Sequence, residues 1–139
     1  MKLGIFEILE GANKLTKTEE RAAFLKKHEH KVLWQVLNYM FDPTVEFALP
    51  PGTPPYKPCD PVNAETFLYQ QSRKLQLFRK GGDGDKLKQT KREMLFIELL
   101  EIIHPRDALV IIGMKDKKMP SDYSKITKSV VQKAFPGLV

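Results

Sequence analysis

The groups best placed to do chemistry in this chain are lysines near its end. "MKDKKMPSDYSKITKSVVQKAFPGLV", residues 114–139, holds Lys115, Lys117, Lys118, Lys125 and Lys128. Ser121, Ser124, Thr127 and Ser129 stand between and beside them. Ammonium groups among hydroxyls at a helix start are what contact with a phosphate backbone requires. A second basic stretch, "KLKQTKRE", supplies Lys86, Lys88, Lys91 and Arg92. The candidate phosphate-contacting set is therefore Lys86, Lys88, Lys91, Arg92, Lys115, Lys117, Lys118, Ser124, Lys125 and Lys128.

Other spacings point to chemistry only on paper. "KGGDGD", Lys80 to Asp85, is rich in glycine, and glycine loops can cradle phosphate with backbone N–H groups. It lacks the Gly-Lys-Ser/Thr ending of a P-loop, follows a helix rather than a strand, and carries two aspartates that repel anions. It reads as a turn between helices. Its acids lack the spacing of a calcium loop. His28 and His30 bracket Glu29, but alternation by two near a helix end does not converge ligands. His28 reads as a helix C-cap and His30 as a surface residue. His104 precedes Pro105 at a helix end, where its cationic form would suit the dipole. Cys59 is the single cysteine, so no internal disulfide can form, and no histidine lies at zinc-ligand spacing. No serine, threonine or cysteine has an evident base and orienter. The expectation is a non-enzymatic protein with no cofactor and no metal.

The distribution of charge supports that choice. The formal net charge is +6. Residues 113–139 hold six lysines against two aspartates, whereas the preceding 112 residues hold 17 bases and 15 acids. A surplus gathered at one end favours a polyanionic partner over a general solubility device. "MKLGIFEILEGANK" carries acids within its apolar stretch and lacks a signal-peptide cleavage site. No apolar run reaches the ~20 residues of a membrane helix. A cytoplasmic protein with no membrane partner is expected.

These groups need positioning elements. At 139 residues and 42% hydrophobic composition the chain suits one domain with one core, residues 1–139. Residues 2–13 place positions 5, 8, 9 and 12 on one helical face. "TKTEERAAFLKKH" starts a helix at Thr16 or Thr18, with acids first and lysines last. "KVLWQVLNYMF" sets Val32, Leu33, Val36, Leu37 and Met40 in a stripe, flanked by Trp34 and Tyr39. Residues 47–61, "FALPPGTPPYKPCDP", hold most of the ten prolines and predict an extended strap lying on the helices. "VNAETFLYQQSRKLQLFRK" follows as a helix with Asn63 as N-cap and Phe67, Leu68, Leu75 and Phe78 inward. "KLKQTKREMLFIELLEIIH" is a helix buried on more than one side through Leu87, Met94, Leu95, Ile97, Leu99, Ile102 and Ile103. Pro105 opens the helix "PRDALVIIGMKD". Its Leu109–Ile112 run also suits a strand. "SKITKSVVQKAF" turns Ile126, Val130, Val131 and Ala134 inward. The fold class is all-α, a compact bundle of about seven helices with a Pro-rich strap between the third and fourth.

Two long stretches carry a resemblance. "AAFLKKHEHKVLWQVLNYMFDPTVEFALPPGTPP" resembles the early helices and Pro-rich strap of the all-helical N-terminal DNA-binding domain of ATP-dependent DNA ligases from large tailed phages. "DALVIIGMKDKKMPSDYSKITKSVVQKAFPGLV" resembles that domain's end, where a basic turn, a short helix and an aromatic-Pro-Gly-aliphatic finish follow one another. The whole sequence also resembles short uncharacterised proteins of T4-like phages of marine bacteria. The resemblance implies a minor-groove, backbone-directed grip on nicked duplex, carried here by Lys115, Lys117, Lys118, Ser124, Lys125 and Lys128. The ligase adenylation motif has no counterpart: "KGGDG" has one residue too many between Lys80 and Asp83. The chain ends where the nucleotidyltransferase domain would begin, so gripping without ligation is expected.

The leading expectation is thus a stand-alone module that binds duplex or nicked DNA without sequence preference, accessory to phage replication, repair or recombination in the host cytoplasm. The alternative is an adaptor or inhibitor that docks a phage or host polymerase, clamp or nuclease through its Pro-rich strap. A virion component is the third reading.

Overall fold

The computed structural model describes residues 3–61 and 68–139. Seven α-helices lie among them: α1 (Ile5–Asn13), α2 (Thr18–Lys27), α3 (Lys31–Phe41), α4 (Leu68–Gln71), α5 (Gln89–Ile102), α6 (Pro105–Lys115) and α7 (Lys128–Ala134). Three 3-10 helices, Ser72–Phe78, Asp83–Lys86 and Ser121–Tyr123, connect them. No strand is present among the described residues. An isolated antiparallel β-bridge pairs Phe47 with Arg79. The fold is all-α, and Leu109–Ile112 is helical.

Periodicity decides the early helices. α1 buries Ile5, Ile8, Leu9 and Ala12, and α3 buries Val32, Leu33, Val36, Leu37 and Met40. Both sets recur at three and four residues, which gives one apolar stripe per helix. Start signals differ in detail. α2 begins at Thr18, one of its two expected starts, with Lys17 and not a threonine as N-cap. Glu20 instead reaches back to accept the Lys17 N–H (3.2 Å) and the Thr16 hydroxyl (3.4 Å). His30 is a working N-cap and not an idle surface residue, since its Nδ1 accepts the Val32 N–H (3.1 Å). His28 is the C-cap of α2.

The middle of the chain departs most from the periodic pattern. The helix expected over 62–80 is, where described, one α turn followed by the 3-10 helix Ser72–Phe78. Asn63 and Phe67 lie outside the described residues. Leu68, Leu75 and Phe78 are buried as their pattern predicts. The tighter winding ends at the glycine loop, where Gly84 is buried and a methyl group there would overlap the Leu77 carbonyl oxygen. Glycine at 84 is thus needed for close backbone approach. α5 packs by one face only. Phe96, Leu99 and Leu100 are inside, but Met94 is 47% and Ile102 37% exposed.

The strap lies on the bundle. The Ala48 N–H donates to the Phe78 carbonyl and the Lys80 N–H to Glu46, both at 2.8 Å. The Gly52 N–H meets both carboxylate oxygens of Asp116 (3.1 and 3.2 Å), and the Lys57 N–H donates to Glu101 Oε2 (2.8 Å). Residues 46–57 therefore run from the end of the 3-10 helix across the last turn of α6 to the last turn of α5. α6 itself sits centrally, touching α1, α3 and α5.

Candidate nucleic-acid interface

The ten candidate residues separate into two classes once the helices pack. Arg92, Lys115 and Lys117 are internal connectors and leave the phosphate-contacting set. The buried guanidinium of Arg92 donates to the carbonyls of Gly84 (2.9 Å) and Leu87 (3.0 Å) and to Gln89 Oε1 (2.5 Å). It holds the glycine loop against the first turn of α5. The Lys115 side chain is 2% exposed, and its ammonium donates to the carbonyls of Pro50 and Gly52 (both 2.9 Å) and to Asp116 (2.5 Å). That spends all three donors of an ammonium group on the strap and its neighbour. Lys117 donates to the carbonyls of Tyr39 and Asp42 and so closes the C-terminus of α3. Its φ of 60° places it in the left-handed region, and burial pushes its pKa down.

The remaining candidates face solvent. Lys86, Lys88, Lys91, Lys118, Ser124, Lys125 and Lys128 are all exposed. Among the described residues none of these six lysines forms an ion pair. They are not one continuous face. Lys86, Lys88 and Lys91 surround the N-terminus of α5. Lys118 follows the last turn of α6, where its N–H donates to the Gly113 carbonyl (2.8 Å). From there the chain doubles back along α6. The Lys125 N–H reaches Asn13 Oδ1 at the end of α1 (2.9 Å), and α1 is tied to the first turn of α6 by Arg106–Glu10 (2.6 Å). Ser124, Lys125 and Lys128 thus stand at the opposite end of α6 from Lys118. The loop bonded to Lys125 contributes two further exposed lysines, Lys14 and Lys17, which fall outside the candidate set. Their signal is spatial: neither sits in a basic run.

Several of the perturbed titratable groups lie at or near the first turn of α6. Asp107 is buried and accepts the Phe6 N–H at the start of α1 (3.0 Å). Burial, only partly offset by that bond, pushes its carboxyl up to about 6. Tyr69, whose hydroxyl donates to the Leu3 carbonyl (2.6 Å), is pushed up to about 12, mainly by burial. His104 corrects the expectation of a cationic residue closing α5. Its Nδ1 accepts the Arg106 N–H (3.1 Å), so that nitrogen carries no proton, and it caps α6. Burial and the Arg106 charge lower its pKa in the same direction. The ring stacks on Phe6 at 4.4 Å. These groups are engaged with one another and with backbone, and they tie α1 to α6.

Among the described residues no group of His, Cys, Asp and Glu is arranged to hold a metal ion. None of the described helices is long and apolar enough to cross a membrane. The fold and surface define a small helical domain with exposed lysines at both ends of its central helix. A family model described as a family of unknown function (DUF6433) matches residues 8–121, and the chain belongs to that family. The match covers Lys86 to Lys118 and stops short of Ser124, Lys125 and Lys128. No curated protein and no solved structure matches the chain.

Proposed function

We propose that the protein is a non-enzymatic DNA-binding module that holds duplex or nicked DNA by its phosphate backbone, without reading sequence. The observation that supports this reading is the set of six exposed lysines, Lys86, Lys88, Lys91, Lys118, Lys125 and Lys128, that form no ion pair among the described residues. Such ammonium groups have no ion pair to break before they turn toward phosphate, and each neutralised phosphate releases condensed counterions. The resemblance to tailed-phage ligase domains adds a context, accessory work in phage replication, repair or recombination in the host cytoplasm.

The test is fluorescence anisotropy with nicked duplex, intact duplex and single-stranded DNA at several salt concentrations. Binding at low salt is expected, with log affinity falling linearly against log salt. Changing Lys118, Lys125 and Lys128 to Glu should abolish it. Absence of binding to all three DNA forms at low salt overturns the reading.

One observation favours an adaptor as the second reading. The strap and α5 enclose a cleft of about 310 Å³ lined by Leu49, Pro51, Pro54, Phe96 and Ile97. A polymerase, clamp or nuclease that inserts an apolar side chain there would bind with little salt dependence and would tolerate the lysine changes.

A further inference from the structure

We infer that the DNA-contacting surface includes a two-loop basic patch, in which Lys14 and Lys17 of the α1–α2 loop act together with Lys125 and Lys128 on one stretch of phosphate backbone. The inference rests on the DNA-binding reading and goes further by naming residues that the chain separates by more than a hundred positions.

Helix register brings the four lysines together. α2 and α7 are packed against each other, and three independent contacts show that the two segments advance in the same direction. At the lower end, Asn13 Oδ1 accepts the Lys125 N–H (2.9 Å). One level higher, Lys133 Nζ lies 3.3 Å from Glu19. Higher still, Lys26 Nζ lies over the Phe135 ring, 5.7 Å from its centroid. Lys14 and Lys17 fall between Asn13 and Glu19. Lys125 is the first matching point on the other segment, and Lys128 falls between it and Lys133. All four are therefore confined to the same short interval, and all four are exposed.

Their surroundings leave the positive charge available. Glu10 is held by Arg106 at 2.6 Å and touches Lys14 at only 3.6 Å, with the Lys14 side chain 74% exposed. Glu19 is taken by Lys133. Glu20 is turned back onto the Lys17 N–H and the Thr16 hydroxyl. Asp122 is the remaining acid of the second loop. Ser124 and Ser129, both exposed, add hydroxyls on the second segment, a mixture that suits phosphate oxygens.

The experiment compares three versions of the full chain on the DNA form that wild type binds best. Lys14→Gln/Lys17→Gln removes the newly assigned charges without setting two carboxylates beside Glu10. Lys27→Gln/Lys31→Gln removes equal charge from exposed positions at the far end of α2. A log–log salt slope shallower by about 1.8 is expected for the first variant, equivalent to roughly sixty-fold weaker binding at 0.1 M salt. No change in slope is expected for the second. Equal losses in both variants would reduce the effect to net charge and overturn the patch. An unchanged slope in the first variant, with wild type binding normally, overturns the patch and leaves the DNA-binding reading standing. Wild type that binds no DNA overturns both. Thermal unfolding of each variant, expected within about 2 °C of wild type, separates lost contacts from lost fold.

Discussion

The two ends of α6 each bury one charge, and they use it differently. At the first turn, Asp107 accepts the N–H of Phe6 and so ties α1 to α6. At the last turn, Lys115 donates to two strap carbonyls and to Asp116, and so ties the strap to α6. Both signs suit the helix dipole, an acid near the positive end and a base near the negative end. The acid has one described protein donor and is left substantially desolvated, which raises its pKa. The base has three acceptors for three donors. A buried charge is tolerated in proportion to how fully its hydrogen bonds are met. The same contrast separates Lys115 from Lys118, three residues on, whose ammonium stays in water.

The largest expected effect breaks the satisfied end. Lys115→Ala leaves two carbonyls and a carboxylate without their donor, and should cost about 3 kcal/mol in chemical denaturation. Lys118→Ala, in the same sequence run, should stay within about 0.5 kcal/mol. Equal costs would erase the distinction between the two lysines.

The unsatisfied end is tested by pH. An unfolded aspartate titrates in the ordinary range near 3.8, and folded Asp107 titrates at about 6. The folded state therefore holds this proton more tightly. The stability it contributes is complete below about pH 4 and is lost as pH rises through about 6. At about 1.36 kcal/mol per unit, the loss amounts to roughly 2–3 kcal/mol. Asp107→Asn keeps an oxygen for the Phe6 N–H and cannot ionise. The difference between variant and wild-type stability should therefore grow in the variant's favour as pH is raised from about 4 to about 7. A flat difference curve would show that Asp107 titrates normally.

A smaller effect sharpens the comparison at Lys117. This residue combines a useful ammonium with a left-handed backbone. Lys117→Gly should be more stable than Lys117→Ala by about 1 kcal/mol, because only glycine adopts that conformation without a steric penalty. Thermal melts of the pair measure the difference directly. If alanine proves the better substitute, the side-chain bonds and not the backbone govern the position.

The helices with a clean stripe are legible from residue spacing alone. Ile5, Ile8, Leu9 and Ala12 of α1, and Val32, Leu33, Val36, Leu37 and Met40 of α3, are buried as their spacing requires. Pro105 opens α6 as its fixed φ predicts. α5 is legible as a helix but not in its orientation. Apolar residues lie on several of its sides, and periodicity alone does not say that Met94 and Ile102 face out while Phe96 and Leu100 face in. The segment Ser72–Phe78 has helical spacing, yet its tighter winding goes with Gly84 packing against the Leu77 carbonyl, a contact between positions seven apart.

The sequence by itself determined an all-α chain, its single apolar core and its excess of lysine, because these follow from composition and from the repeat of apolar residues along a helix. It did not determine which lysines meet solvent. Lys115, Lys117 and Lys118 are nearly identical in local context, and their fates diverge because a lysine's four-carbon stem reaches whatever acceptors packing brings near. The strap carbonyls capture the first, the end of α3 captures the second, and the third stays in solvent. The α1–α2 loop that carries Lys14 and Lys17 meets the second loop through the bond from the Lys125 N–H to Asn13, a long-range contact that no local pattern of charge encodes.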